Sequence, residues 1–356
     1  MNLSVALSTW LWVAFIVGAD DVPWLKDTQQ PPTHLAPLPR PLTSLLTESE
    51  FRSVDVLAVW RQRRKDLGDA WQKVLGPDPV KPGSAKIEVL QTEELETISR
   101  KLIRYENEVG EFLTAYLLEP IGVTNPRPAI VALHATTNQT NRTIAGIGGT
   151  RDEQIGLRLA QRGFVVICPE NFLWRGGMGY QEAVANFQKR YPNSLGMRKM
   201  LFDASRAIDI VASLPTVDSQ KIGAVGHSLG AKEVLYLTAL DERISAAVFS
   251  EGGIEFESTN WQAPWYLGPA VSDKTFPRNH HELIALIAPR PFLVLGGESS
   301  GAADGDRSWP YLQAAMPVYR LYGKTPRLGL LNHHQGHTVS DQSFERLAEW
   351  FECYLK

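Results

Sequence analysis

Two cysteines in 356 residues are too few for a disulfide-dense scaffold or a four-cysteine zinc site. Cys168 ends an apolar run and Cys353 falls in the last helical stretch, so a disulfide and two separate thiols both stay open. No surplus charge exists either: 36 Lys and Arg against 39 Asp and Glu leave −3. That balance offers no attraction to a polyanion, so no nucleic acid is expected as a partner. Past the first twenty residues no apolar run is long enough to cross a bilayer. No internal repeat or low-complexity tract follows residue 47. What is present is ordinary globular composition, 44% hydrophobic and 21% charged, which argues against disorder and coiled coil. The length suits two domains, or one large α/β domain with extensions, and is enough to bury a core without staples.

Residues 1–19, MNLSVALSTWLWVAFIVGA, carry no charged side chain and end in Val17-Gly18-Ala19, small residues where a signal peptidase cuts. We read a signal peptide rather than an anchor, because the segment is marginal for spanning and no basic flank follows. The expected location is secreted or periplasmic, with no stable membrane insertion after processing. Residues 20–85 form a Pro-rich linker or strap followed by a helical extension. Prolines 23, 31, 32, 37, 39 and 41 disfavour regular structure. Over 48–75, Phe51, Val54, Val56, Leu57, Trp60, Leu67, Trp71 and Val74 recur near the helical period, and Gly76-Pro77 ends the run.

Residues 86–356 read as one catalytic α/β domain. Strand-like runs fall at 98–105, 112–118, 129–134, 164–168, 222–225, 246–250, 292–295 and 327–331. Helical stretches fall at 153–161, 200–213, 229–239, 282–287 and 342–354. The first two strands are close enough for an antiparallel hairpin, and the later ones need crossovers. The later runs are also apolar without alternation. The predicted architecture is a mostly parallel twisted sheet with helices on both faces and an N-terminal helical extension.

The sharpest local signal is Lys221-Ile-Gly-Ala-Val-Gly226-His227-Ser228-Leu229-Gly230. A strand, then G-x-S-x-G, then a helix describes a nucleophile elbow. Strand and helix nearly touch at such a turn, so the positions two before and two after the serine must be small, as Gly226 and Gly230 are. The Leu229 N–H, at the helix start, is a candidate oxyanion donor. Ser228 needs a base. The chain order serine, acid, histidine leaves five of the eight histidines, and His337 sits late in the loop after the last strand. His333, His334 and His337 lack the further ligand spacing of a zinc site, so no metal is expected. His280 and His281 read as surface or supporting residues ahead of a helix.

The orienting acid is less sharply marked. Asp304 is the first choice and Asp306 the second, both in the loop after the strand at 292–295. Glu251, directly after the strand at 246–250, is the rival. The second oxyanion donor is the N–H of Ala135 or Thr136, with His134 bracing that loop or serving as a satisfied core histidine. Trp174, Trp265 and Trp309 are candidate sugar-stacking residues, with lid packing as the competing role. Arg151, Arg175 and Arg290 could bind an acidic sugar, or serve in structural ion pairs.

These motifs resemble the α/β-hydrolase superfamily, and within it the exported bacterial acetyl xylan esterases and their glucuronoyl-esterase-like relatives. The resemblance rests on Val225-Gly-His-Ser228-Leu-Gly-Ala, Val248-Phe-Ser-Glu-Gly-Gly253, Leu286-Ile-Ala-Pro-Arg-Pro-Phe-Leu293, Asp304-Gly-Asp-Arg-Ser-Trp-Pro310, Pro317-Val-Tyr-Arg-Leu-Tyr-Gly323 and Asn332-His-His-Gln-Gly-His337. It implies Ser228 as nucleophile, His337 as base, and an acid from the Asp304 loop or Glu251. The implied enzyme is a secreted serine carboxylester hydrolase deacetylating an acylated carbohydrate, with no cofactor. Its partner would be a small-molecule or polysaccharide ester, and no motif sets the oligomeric state. The rival readings are a glucuronoyl (uronate) esterase, a prolyl-oligopeptidase-like peptidase, and a non-catalytic binding module on the same fold.

Overall fold

The computed structural model describes residues 21–83, 86–298, 301 and 303–356, so the signal peptide read at 1–19 lies outside the described residues. One nine-stranded sheet organises them, in the spatial order β1-β2-β3-β5-β4-β6-β7-β8-β9. The strands are β1 (Ile87–Glu94), β2 (Ile98–Glu108), β3 (Glu111–Pro120), β4 (Arg127–Leu133), β5 (Val165–Pro169), β6 (Val217–His227), β7 (Ile244–Ser250), β8 (Phe292–Gly296) and β9 (Leu328–Asn332). β1 pairs antiparallel with β2, β2 with β3, and β3 with β5. From β5 through β4 and β6 to β9 every pairing is parallel.

The parallel half is apolar on both sides because helices cover both faces. One face buries Ala129, Val131, Ala224, Ala247 and Val294 beneath helices Val56–Leu75, Gly196–Ala212, Leu229–Leu240, His280–Ile287 and Trp309–Arg320. The other buries Ile130, Val225, Val248 and Leu293 beneath Ile155–Gln161 and Asp341–Leu355. The fold is therefore the doubly covered, mostly parallel sheet read from the sequence. Among the described residues no helix is long and apolar enough to cross a membrane. Cys168 and Cys353 are not joined.

The differences from the sequence reading have local causes. β1 carries Glu88, Gln91, Thr92, Glu93 and Glu94 and is solvent-facing along nearly its whole length, so it shows no apolar periodicity; charged residues suit such an edge. The single helix read over 48–75 is broken at 52–55. The Asp55 carboxylate instead accepts from the Ala58 N–H at 2.9 Å and caps the helix Val56–Leu75. Helices Tyr180–Arg190 and Trp309–Arg320 were not anticipated, the latter opening on Trp309-Pro310 and holding Pro317 inside. His280 and His281 are fully buried core residues rather than surface ones. The His280 Nε2 lies 2.8 Å from the Tyr236 hydroxyl.

The Pro-rich stretch is a strap on the body. Trp24 stacks on Trp350 at 5.8 Å and donates to Glu349 at 2.6 Å, Arg40 is buried in an ion pair with Glu257, and Leu45 and Leu46 join the core. The N-terminal helix is anchored by Trp71, which is fully buried, meets Tyr236 edge-on at 5.5 Å and donates to Glu282 at 2.9 Å. Trp71→Ala is expected to cost about 3–5 kcal/mol of unfolding free energy in urea titration, the range for an emptied tryptophan site. A loss under about 1 kcal/mol would mean the helix merely rests on the domain.

Candidate active site

Ser228 and Glu251 stand side by side because β6 and β7 do. His227 and Ser250, the last residues of these strands, are register partners, and each strand is followed at once by one of the two residues. Both have left-handed backbones, Ser228 with φ +57° and Glu251 with φ +59°. A non-glycine residue in that region stores on the order of 1–3 kcal/mol of strain, which the surrounding sheet must hold. It does so by hydrogen bonds: the Ser228 N–H donates to the Ser250 carbonyl at 2.8 Å, and the Glu251 N–H to the Leu295 carbonyl at 2.9 Å.

The elbow closes as tightly as the motif requires. A Cβ on Gly226 would lie 2.2 Å from the Gly230 carbonyl carbon, and one on Gly230 would lie 2.1 Å from the Leu133 carbonyl oxygen. Helix Leu229–Leu240 therefore starts directly over the ends of β4 and β6. The Leu229 N–H belongs to its first turn, whose N–H groups have no carbonyl four residues earlier to bond. At the end of β4, His134 is buried, and burial holds its pKa down at about 4, so the ring is neutral. Its Nδ1–H donates to the Ala135 carbonyl at 2.8 Å, while Nε2 accepts from the Asn171 N–H at 3.2 Å. Fixing the Ala135 carbonyl also fixes the direction of the Thr136 N–H across the same planar peptide. His134 is thus at once a satisfied interior histidine and the brace of this loop.

His337 arrives from the far side. Its loop follows β9, and β8 lies between β9 and the Glu251 strand. To reach Glu251, the loop must pass over the end of β8. It is stitched there: the His333 N–H donates to the Gly296 carbonyl at 3.1 Å and the Gly336 N–H to the Gly297 carbonyl at 2.7 Å. Gly297 makes the crossing possible, since a Cβ there would fall 2.2 Å from the Gly336 oxygen and 2.5 Å from Glu251 Oε2. The result is a 2.9 Å hydrogen bond from His337 Nδ1 to the fully buried Glu251 carboxylate at Oε2. With that proton on Nδ1, Nε2 is left as the acceptor. The other carboxylate oxygen is met by His333 Nε2 at 3.3 Å, a nitrogen that also lies 3.0 Å from the Thr338 carbonyl. The His227 ring lies against the His337 ring at 4.6 Å, and burial drives its pKa down to about 3.

The carboxylate that meets His337 is therefore Glu251, not Asp304 or Asp306. The loop carrying those two folds back on itself: Asp304 Oδ1 accepts from the Asp306 N–H at 3.1 Å, and Asp306 Oδ1 accepts from Asn332 Nδ2 at 3.0 Å. His334 is half exposed and lies 3.8 Å from Asp306, so the histidine triplet of the loop does not converge on one point. The grouping of possible metal donors among the described residues is instead His227, Glu251 and His337.

Ser228, His227 and His337 open into one cleft of about 550 Å³, with Ala135, Thr136, Thr143, Asp152 and Glu153 also on its walls. The tryptophans are placed differently. Trp309 is 3% exposed and packed in the core, so its face cannot stack on a sugar. Trp174 and Trp265 do not line this cleft. They extend a run of rings from His134 to Trp174 (4.9 Å), Tyr180 (4.8 Å) and Trp265 (5.5 Å). The three arginines are engaged elsewhere: Arg175 with Glu111 at 2.7 Å, Arg151 with Asp341 at 3.2 Å, and Arg290 with the carbonyls of Thr238, Asp241 and Ile244. The sequence marks neither supporting role: His333 reads there only as a rejected metal donor, and Gly297 only as one of a Gly296-Gly297 pair at a strand end, although both hold the Glu251–His337 pair.

A strained serine on a strand-to-helix elbow, sharing a cleft with a histidine bonded to a buried carboxylate, is the arrangement of the α/β-hydrolases. Residues 113–287 match the model of the dienelactone hydrolase family, and the fold is that of an α/β-hydrolase. It is 25% identical over 246 residues to YtaP of Bacillus subtilis (strain 168), which carries only the general name of a hydrolase; the match covers 66% of this chain and 80% of that protein. A glucuronoyl esterase from Solibacter usitatus superposes with a TM-score of 0.68 at 16% identity, over 90% of this chain and 98% of that one. An acetyl xylan esterase from Paenibacillus sp. R4 superposes with a TM-score of 0.54 at 17% identity, over 94% and 100%. At such identities these structures establish the fold.

Gly297→Ala is expected to push Glu251 and the base loop apart. Labelling of Ser228 by a fluorophosphonate should slow by about a hundredfold, the scale for an ångström of misplacement. The far-ultraviolet circular dichroism should stay native. Unchanged labelling would mean that the loop tolerates a side chain at the crossing.

Proposed function

We propose that the protein is a serine carboxylester hydrolase acting on an acylated carbohydrate, most simply by removing acetyl groups. Ser228 attacks the carbonyl carbon, and its proton passes to His337 Nε2. The tetrahedral oxyanion is met by the N–H of Leu229 and that of Ala135 or Thr136. Collapse releases the sugar alcohol, which takes the proton from His337. Water activated by the same imidazole then hydrolyses the acyl-enzyme. Glu251 holds the ring in the productive tautomer and stabilises its charged form. The observation that carries this reading is the 2.9 Å bond between His337 and Glu251 in the cleft that Ser228 opens into.

Residues 86–356 are the catalytic domain in this proposal, with 20–85 strapped across it. The uncharged apolar stretch at 1–19 supports export to the periplasm or medium. The resemblance to carbohydrate esterases supports the substrate class, and a binding module without chemistry would have no use for a strained serine next to a histidine–carboxylate pair.

Three variants assayed with 4-nitrophenyl acetate test the assignment. Ser228→Ala is expected to lower kcat at least a thousandfold, and Glu251→Gln by about 10³–10⁴-fold, the scale for losing the carboxylate that fixes the tautomer. Asp304→Asn is expected to change kcat less than about threefold. A large loss in Asp304→Asn with near-normal Glu251→Gln would reverse the choice of acid. Turnover retained by Ser228→Ala would remove the nucleophile.

A further inference from the structure

The cleft has a charge that the chemistry of the serine and histidine does not require. Its walls carry two carboxylates, Asp152 and Glu153, and no lysine or arginine lines it among the described residues. Hydroxyls make up much of the remaining polar surface, from Thr136, Thr137, Thr143, Thr150 and Thr338. Of the histidines on the walls, burial keeps His134 and His227 neutral, with pKa values down at about 4 and about 3. Two arginines stand behind the acidic turn rather than on the cleft wall: Arg151 and Arg158 both bind Asp341, at 3.2 Å and 2.6 Å, and Arg158 also feels the charge of Asp152.

The two carboxylates are held in place. Asp152 Oδ2 accepts from the Thr338 hydroxyl at 2.9 Å, which ties the acidic turn to the residue after His337. Glu153 Oε2 accepts from the Thr150 N–H at 2.7 Å. Thr143, another residue of the cleft wall, is 3% exposed, and its buried hydroxyl has no hydrogen-bond partner among the described residues. A buried polar atom without a partner is costly unless something in the site completes it, and a sugar hydroxyl has the matching chemistry.

We propose that this cleft selects esters of uncharged sugars, with Thr143 meeting a sugar hydroxyl and Asp152 and Glu153 repelling any sugar that bears a carboxylate. The inference rests on the esterase reading above and narrows it: the leaving group is a neutral polyol rather than a uronic acid. A carboxylate brought into this cleft would face two like charges with no lysine or arginine on the walls to offset them, in a site less screened than open water.

The test compares kcat/KM for acetylated xylose with that for acetylated glucuronic acid carrying its free carboxylate. In the wild type the neutral ester is expected to be preferred at least about tenfold at low salt, and the preference should shrink as ionic strength rises. Asp152→Asn and Glu153→Gln keep an acceptor for Thr338 and Thr150 while removing charge. Each is expected to reduce the neutral-to-acidic ratio several-fold, and the double variant to bring it near one. Thr143→Val should raise KM for acetylated xylose more than for 4-nitrophenyl acetate, which has no sugar hydroxyl to lose. Equal rates on both sugars in the wild type, or a preference insensitive to salt and to both variants, would overturn the inference while the ester chemistry stood. Wild-type enzyme that leaves 4-nitrophenyl acetate intact would instead bring down the esterase reading itself.

Discussion

The site depends on a hydrogen bond that has to be made across an intervening strand. Glu251 ends β7, His337 follows β9, and β8 separates them. The imidazole reaches the carboxylate because the loop after β9 lies flat on the end of β8, bonded to Gly296 and Gly297, with no side chain at Gly297 to hold it off. The burial of Glu251 follows from the same crossing, since the base loop is its roof. A carboxylate so placed is tolerable only because two histidines approach it, His337 at one oxygen and His333 at the other. The strain at Ser228 and Glu251 belongs to the same arrangement: two neighbouring strands end in left-handed residues, each tied back to the next strand.

What was legible in the sequence follows the range of the interactions. The elbow is local, five residues between a strand and a helix, and its two glycines are required by contacts within the motif and with the adjacent strand end. The parallel strands were legible because burial on both faces leaves an uninterrupted apolar run. The acid was not, because both loops end a strand on the same edge of the sheet and nothing in their spacing says which one the base loop will cover. Glu251 is the carboxylate that meets His337, while the Asp304 loop folds back and Asp306 is bound by Asn332. β1 was missed because an exposed edge strand needs no apolar alternation. Of the two roles open to Trp309, packing is the one it takes, because Trp309-Pro310 opens a helix whose first residue is buried in the core.

The same fold carries enzymes named for different esters, so the fold does not select among them. Selection has to come from the walls of the cleft. Here those walls carry hydroxyls and two carboxylates, while Arg175 and Arg290 are bonded away from the cleft, to Glu111 and to the Thr238 carbonyl. The acidic turn is also bonded to the His337 loop through Thr338, so Asp152 and His337 share one scaffold.

The central claim, that the His337 Nδ1–H donates a hydrogen bond to Glu251, is most directly tested by the downfield proton resonance of that Nδ1–H in solution NMR. The resonance should appear in the wild type and in Asp304→Asn and vanish in Glu251→Gln and in His337→Gln. A resonance that survives in Glu251→Gln and is lost in Asp304→Asn would contradict the account.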